Sequence, residues 1–172
     1  VLGVPVEVAP IVVTAPLASA TTGSAVTVSP VVVITDVDST QLTSATVTAS
    51  DGTLNYGTLP SGVTATPGVN SVTFTGAASV DAYQQLLQSI TLTDGSAGIV
   101  TVTFTVVDDQ GKSSVPATTA VTVLDVAVAL APVLVTAPIA SGTTGTAVTV
   151  SPAVVITDID STQLGSATVT AS

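Results

Sequence analysis

The strongest constraint on the fold is that the chain repeats itself after 122 residues. When residues 1–50 are placed on residues 123–172, 38 positions are identical and 12 differ. The match starts with "VLGVPVEVAPIVVTAP" against "VLDVAVALAPVLVTAP" and is still present at "SATVTAS" in both copies. Solenoid repeats are shorter, about 20–50 residues, so a period of this length is that of a whole domain. The sequence therefore predicts domain-sized beads in tandem.

The position of the repeat sets the predicted domain boundaries. Residues 1–8 are expected to be the end of a preceding repeat or a linker. Residues 9–130 are expected to form one full repeat, and residues 131–172 the first part of the next.

Composition and alternation within one period predict an all-β fold. Apolar residues make up 46% of the chain and charged residues 7%, and the abundant Val and Thr favour strands because β-branched side chains fit a pleated surface. Segments such as "ATVTAS" and "IVTVTFTVV" alternate Thr with apolar residues, which is typical of a sheet with one buried face. Short strands separated by turn residues predict a β-sandwich. The predicted strands are 10–18, 24–35 with a break at Pro30, 42–50, 62–66, 71–75, 88–94, 99–107 and 115–124.

One segment departs from the strand pattern. "SVDAYQQLLQSI" at 79–90 places Tyr83, Leu86, Leu87 and Ile90 at helical spacing, with Ser79 or Asp81 as the N-cap. It predicts one short helix near 80–89. An aromatic residue on the apolar stripe of a helix usually packs in the core, so Tyr83 is expected there and not in a binding site.

The charge balance disfavours several partner classes. Eleven acidic residues and one base, Lys112, give a net charge of −10, which repels nucleic acid and leaves no basic patch for anionic lipid. The apolar stretch at 123–140 contains Asp125, Pro132 and Pro138, which argue against a membrane span. No nucleic-acid partner, direct membrane insertion or small-molecule substrate is expected.

Catalytic chemistry is not expected either. The chain has no His and no Cys, so a Ser nucleophile would have only Lys112 as a base. A glycosidase needs two carboxylates in a sugar cleft, and Asp81 and Asp94 are better explained as a helix cap and a turn residue. The sequence predicts that the protein is not an enzyme.

Several short motifs occur in an order that resembles a known family. "AP" opens the first strand, "DVDS" follows the second, "YQQLLQSI" forms the helix, and "VVDDQGKSS" separates the last two strands. In this order they resemble bacterial cadherin-like tandem repeats, which occur in giant surface adhesins and extracellular matrix proteins. The resemblance covers essentially the whole period. It implies an immunoglobulin-like Greek-key sandwich, secretion to the cell surface, and a structural or adhesive role in a long array.

The resemblance also suggests a calcium site. In a Greek-key sandwich of this class, the loop after the second strand and the loop between the last two strands lie at the same end, where the chain enters. Carboxylates that converge there suit Ca²⁺, which binds six to eight oxygen ligands. The candidate ligands are Glu7, Asp36, Asp38, Asp108 and Asp109 in the first copy, and Asp125, Asp158 and Asp160 in the second.

Turn formation is the alternative explanation for the same residues. Asp is a common turn residue because its carboxylate accepts hydrogen bonds from nearby backbone N–H groups. The linker also lacks the acidic Asn-Asp type of segment expected of cadherin-like repeats, and its one acid is Glu7 in one copy and Asp125 in the other. The sequence leaves calcium binding and turn formation open.

Two classes of function fit this pattern. The first is a structural module of a secreted fibre or adhesin, whose partners are neighbouring copies of itself along the chain or in a filament, where they join by strand addition. The second is a carbohydrate- or protein-binding module that acts through its loops. The loop "GTLPSGVTATPGVN" offers mainly small and turn residues for that second role.

Overall fold

The computed structural model describes residues 6–125, 131–136, 140–151, 153–158 and 161–171. The chain divides into two compact units, Val1–Val126 and Ala127–Ser172. Apart from one helix, the regular structure is β-sheet, with the sandwich-like character that the alternating Val and Thr residues predict.

The first unit contains eleven strands and the helix. Their bounds are β1 Ile11–Thr14, β2 Leu17–Thr21, β3 Val26–Thr27, β4 Val32–Thr35, β5 Gln41–Ala49, β6 Thr53–Asn55, β7 Thr64–Gly68, β8 Ser71–Ser79, α1 Val80–Gln88, β9 Thr91–Thr93, β10 Gly98–Asp108 and β11 Ala117–Leu124. The largest sheet has the order β2-β11-β10-β5-β8-β7, in which only β2 and β11 are parallel neighbours. Strands β3, β9 and β6 form a second sheet, and β1 and β4 form a third.

Pro16 divides the predicted strand 10–18 into β1 and β2. Proline has no backbone N–H, so it interrupts the pairing of β1 with β4, and the chain continues as β2 beside β11. The peptide groups of Ala15 are satisfied by two buried side chains. Its N–H donates to Ser29 Oγ over 2.9 Å, and its carbonyl accepts from Thr119 Oγ1 over 2.6 Å.

The core is a single cluster of apolar side chains from strands of the three sheets of the first unit and from α1. Phe74 on β8 and Phe104 on β10 are fully buried, and the ring of Tyr56 contacts that of Phe74 edge to face at 5.2 Å. Thr side chains alternate with these residues and point to the opposite face of the large sheet, as the sequence pattern predicts.

Helix α1 confirms the predicted helix at 79–90, with one correction. Ser79 is the N-cap, and its hydroxyl accepts the N–H of Ala82, whereas Asp81 lies in the first turn. The predicted cap role of Asp81 is therefore wrong. Tyr83 is fully buried as predicted, and its hydroxyl donates to the carbonyl of Gly76 over 2.6 Å.

Two glutamines of α1 occupy the free backbone edge of β4. Gln84 Oε1 accepts the N–H of Ile34 over 3.0 Å, and Gln88 Nε2 donates to the carbonyl of Val32 over 2.9 Å. Because the glutamines are four residues apart, both reach the same edge of the strand. These amides satisfy groups that would otherwise be available to another strand.

Burial of Tyr83 predicts a loss of stability at high pH. Burial raises the pKa of Tyr83 to about 12 in the folded protein, against about 10 in an unfolded chain. The stabilisation is therefore complete below about pH 10 and is lost as the pH rises towards 12, because only the unfolded chain releases the proton readily. Urea unfolding at pH 9 and pH 11.5 measures this loss. The Tyr83→Phe variant should lose less stability over that range, whereas Tyr56→Phe should behave as wild type.

Most predicted strands of the first unit are confirmed within a few residues. The break at Pro30 separates β3 from β4, and 42–50, 99–107 and 115–124 correspond to β5, β10 and β11. Strand β6 was not predicted, because "TLN" is too short to show alternation.

The second unit repeats the pairing seen at the start of the first. Strands β12 Val133–Thr136 and β13 Val154–Thr157 are antiparallel. Val133 is opposite Thr157, just as Ile11 is opposite Thr35 in β1 and β4, so the register is the same after a shift of 122 residues. Among the described residues, no helix has the length and apolar character needed to cross a membrane.

Candidate functional site at the entry end

The predicted acidic residues of the first copy lie at the end of the first unit where the chain enters β1. We call this the entry end and define it as residues 6–9, the loop 36–40 after β4, and the turn 108–112 after β10. The contacts between these three segments determine which hydrogen bonds and ion pairs each carboxylate makes.

Asp36 organises the loop after β4. Its Oδ1 accepts the N–H of Asp38 over 3.2 Å and the N–H of Ser39 over 3.1 Å, which is the local turn that Asp side chains favour. The second unit has the same contact, since Asp158 Oδ1 accepts the N–H of Ser161 over 3.2 Å. This hydrogen bond thus recurs in both copies.

Asp38 and Lys112 hold the entering chain. Asp38 Oδ2 accepts the N–H of Val8 over 2.9 Å, and Lys112 Nζ lies 3.2 Å from Glu7 Oε2. The ion pair is about half exposed, and such pairs contribute only about 0–1 kcal/mol. The backbone contact of Val8 needs no particular side chain at that position. It is therefore compatible with the Leu that stands at the equivalent position 130.

Ser39 joins the loop to the turn. Its buried hydroxyl lies 2.6 Å from Asp109 Oδ1 and 2.7 Å from the carbonyl of Gln41, and it accepts the N–H of Gln41 over 3.1 Å. Gln110 adds a second link, because its Nε2 donates to the carbonyl of Asp38 over 3.3 Å. Hydrogen bonds thus tie the two segments together.

Asp108 is the most buried carboxylate in the described part of the chain, with 0% exposure. Its Oδ1 accepts the N–H of Gln110 over 2.9 Å and the N–H of Lys112 over 2.7 Å. Its own N–H donates to the carbonyl of Lys112 over 3.0 Å. These bonds close the turn between β10 and β11 around a charged group, and bonds of this kind are stronger than neutral ones.

Asp108 and Asp36 each also have a carboxylate oxygen that accepts no hydrogen bond. Asp36 Oδ2 and Asp108 Oδ2 are buried atoms with no hydrogen-bond partner. Such an atom loses its hydration without replacement, which costs about 1–3 kcal/mol. These two oxygens are the acceptors left open at the entry end. Within the described segments, however, no three acidic residues are close enough together to hold a metal ion.

The proposed ligands of the second copy are less fully described. Asp125 is exposed at the end of the first unit, and Asp158 forms the turn described above. Asp160 lies outside the described residues.

Sequence reasoning missed the part played by Ser39 and the backbone of Val8. A signal for Ser39 was present, because "DSTQL" recurs at both ends of the chain. In the second unit, Ser161 Oγ donates to the carbonyl of Gln163 over 2.8 Å and accepts its N–H over 3.2 Å, as Ser39 does with Gln41. The hydrogen bond from Val8 is made by its backbone N–H, so no particular residue type at that position indicates it.

The contacts of Asp108 predict a measurable loss of stability on substitution. In Asp108→Ala, the N–H groups of Gln110 and Lys112 lose their acceptor, so we expect a cost of about 1–3 kcal/mol in the free energy of unfolding. Urea unfolding at pH 7 measures it. Asp51→Ala is the control, because Asp51 is exposed and bonds only the N–H of its neighbour Gly52, and it should cost less than about 0.5 kcal/mol. Equal costs for the two variants would contradict the assigned role of Asp108.

Comparison with known proteins identifies no relative. No family model matches the chain, and no significant match was found among curated proteins or solved structures.

Proposed function

We propose that the protein is a structural module of a secreted, tandem-repeat surface fibre or adhesin, in which each 122-residue copy adds length, stiffness and cohesion. The observation that carries this proposal is the recurrence itself. It is present in the sequence and again in the register of two strand pairs, β1 with β4 and β12 with β13.

The contacts at the entry end support a mechanical role. Val8, Asp38, Glu7 and Lys112 fasten the entering chain to the loop and turn of the first unit. A pull on the chain at Val8 is thereby shared with the β10–β11 turn, which belongs to the largest sheet. A module built to transmit force needs this kind of attachment at its ends.

The strand order supports an immunoglobulin-like Greek key of the cadherin-like type. In that fold, strands C, F and G are neighbours in one sheet and strands A and B are neighbours in the other. The order β5-β10-β11 corresponds to C, F and G, and the β1–β4 pair corresponds to A and B. We propose this fold for the repeat, and we propose secretion and a cell-surface location because the resemblance to cadherin-like repeats implies them.

The Gln84 and Gln88 contacts favour intact beads over strand exchange at β4. A filament built by strand addition needs a free strand edge, and the edge of β4 is occupied at Ile34 and Val32. Neighbouring copies are then joined through the chain and through their surfaces.

Thermal unfolding with light scattering of a single period, residues 9–130, tests the proposal. We expect a folded monomer that unfolds in one cooperative transition. An insoluble or polymerising period would instead support strand exchange. Saturable uptake of a carbohydrate or protein by the monomer would support a binding module.

The same experiment with excess Ca²⁺ and with a chelator tests the proposed ion. Ca²⁺ takes six to eight oxygens, and Asp36 and Asp108 supply only two open ones, so we propose a weak site in the millimolar range of extracellular modules. At a free Ca²⁺ concentration of ten times Kd, binding should raise the free energy of unfolding by about 1.4 kcal/mol. Asp36→Asn and Asp108→Asn should abolish this increment, and Asp51→Asn should not. An unchanged Tm would leave turn formation as the only role of these residues.

A further inference from the structure

We propose that the outer face of the β1–β4 sheet is a docking surface for a second copy of this chain, with the two copies side by side and antiparallel. The face consists of Ile11, Val13, Val31 and Val33. This inference rests on the proposed function as an array and identifies the surface through which arrays associate.

All four side chains of the face are apolar and exposed. Ile11 is 61% exposed, Val13 56%, Val31 58% and Val33 42%. The register places Val13 directly opposite Val33 and on the same side of the pair as Ile11, and Val31 comes just before β4 in the chain. A contiguous exposed apolar patch marks an interaction site more often than scattered apolar residues do.

The large sheet of the same unit is the internal comparison. Its outer face carries Thr at positions that alternate with the core residues of β5, β8 and β10. These positions are Thr46, Thr48, Thr73, Thr75, Thr101, Thr103 and Thr105. Thr has nearly the same shape as Val and is equally suited to a strand, so strand propensity does not explain the apolar choice on β1 and β4. We attribute the apolar residues on β1 and β4 to a neighbour that packs against this face.

Recurrence indicates that this neighbour is another copy. Val133, Val135 and Val155 stand in the register of Ile11, Val13 and Val33, so the next copy has an apolar residue at each of these three positions. Both copies therefore have an uncharged face, with Ala153 in the place of Val31 in the second. A flat apolar face can pair with itself across a two-fold axis, because the same residues serve both partners.

The distribution of charge selects the antiparallel orientation. Glu7, Asp36 and Asp38 flank one end of the face, next to the Ile11–Thr35 pair, and no charged residue occurs between Thr14 and Val31 at the other end. Parallel pairing would bring the acidic ends of two copies together. Antiparallel pairing keeps them apart, so it avoids that repulsion.

The size of the face explains why repeats are needed. Four side chains cover a few hundred Å² at most, whereas a stable interface buries about 800 Å² on each partner. One copy should therefore pair weakly. Copies linked in one chain should pair strongly, since each contact raises the effective concentration of the next.

Sedimentation equilibrium of a chain extended in register by further copies of residues 51–172 tests the proposal. Each added copy should lower the apparent Kd of association by about 100-fold or more. In the face variant, Thr replaces Ile11, Val13 and Val33 and their counterparts in every further copy, including Val133, Val135 and Val155. Association of this variant should be weaker by at least about tenfold. The control places Thr at Ile99, Val69 and Val115 and their counterparts, which are more exposed and off the face, and should change little.

Three results would overturn the proposal. The extended chain could stay monomeric, or the control variant could weaken association as much as the face variant. The face could also bind phosphatidylcholine vesicles, so that a lipid surface and not a copy is its partner. If the extended chain stays monomeric but each copy still unfolds independently, only this inference fails and the proposed array stands.

Orientation is tested with single cysteines, since the chain has none of its own. Val13→Cys, at the centre of the face, should give disulfide-linked chains on oxidation. Val37→Cys, which is exposed at the acidic end, should not. The reverse pattern would contradict antiparallel pairing.

Discussion

Gly76→Ala is expected to destabilise the first unit more than the same substitution at any other described glycine. A Cβ at this position would lie 2.1 Å from the carbonyl oxygen of Gly62, a backbone atom that cannot move aside without shifting the turn before β7. The φ angle of Gly76 is +139°, a region that side chains with L configuration rarely adopt. Clash and backbone strain act together, so we expect a loss of at least about 3 kcal/mol in the free energy of unfolding.

Urea unfolding followed by circular dichroism measures that loss. Gly95→Ala is the matched control, because a Cβ there meets no atom within 4 Å, and it should stay within about 0.5 kcal/mol of wild type. Gly76 also bears the carbonyl that accepts the Tyr83 hydroxyl bond. A Gly76→Ala protein as stable as the control would show that β8 does not approach Gly62 as described.

Phe104→Ala should have an effect of similar size. Phe104 is fully buried at the centre of β10, between Val47 of β5 and Ala117 of β11. Truncation removes apolar contacts and leaves a cavity in a packed core, which costs about 3–5 kcal/mol. The urea midpoint should fall without a change in slope, since the surface exposed on unfolding stays similar.

Thr103→Ala is the control on the same strand. Thr103 points to the opposite face of the sheet and is not buried, so its loss should cost less than about 1 kcal/mol. A larger effect for Thr103→Ala than for Phe104→Ala would mean that the two faces of β10 have been exchanged, which a one-residue register slip would cause.

Local patterns made much of the fold predictable. Alternating Thr and apolar residues identified β5, β8 and β10, and helical spacing of Tyr83 and Leu87 identified α1. These signals are set by which face of an element is buried, and that is written in consecutive residues. The register of β12 and β13 repeats that of β1 and β4 at the 122-residue spacing of the sequence repeat.

The non-local contacts could not be predicted from the sequence. Nothing in "TAPLAS" shows that Pro16 moves the chain from β4 to a parallel partner, because that depends on Ser29 and Thr119, which lie far away along the chain. The contacts of Gln84 and Gln88 with β4 are equally invisible, since exposed glutamines on a helix normally face water.

The candidate site likewise combines local contacts, which the sequence predicts, with non-local contacts, which it does not. Turns made by Asp36 and Asp108 with their own neighbours follow from the known chemistry of Asp in loops. The placement of Asp38 against Val8, and of Ser39 against Asp109, depends on how two loops meet at one end of the molecule. The sequence resemblance anticipated that these loops share an end, but not which groups pair there.

Force spectroscopy on the chain extended by copies of residues 51–172 tests the central claim, that the 122-residue recurrence is an independently folded, load-bearing bead. We predict one unfolding peak per complete copy, with equal increments in contour length of about 400 Å, since each residue extends by about 3.4 Å and the folded length must be subtracted. Extension without discrete peaks, or increments unrelated to the number of copies, would contradict it.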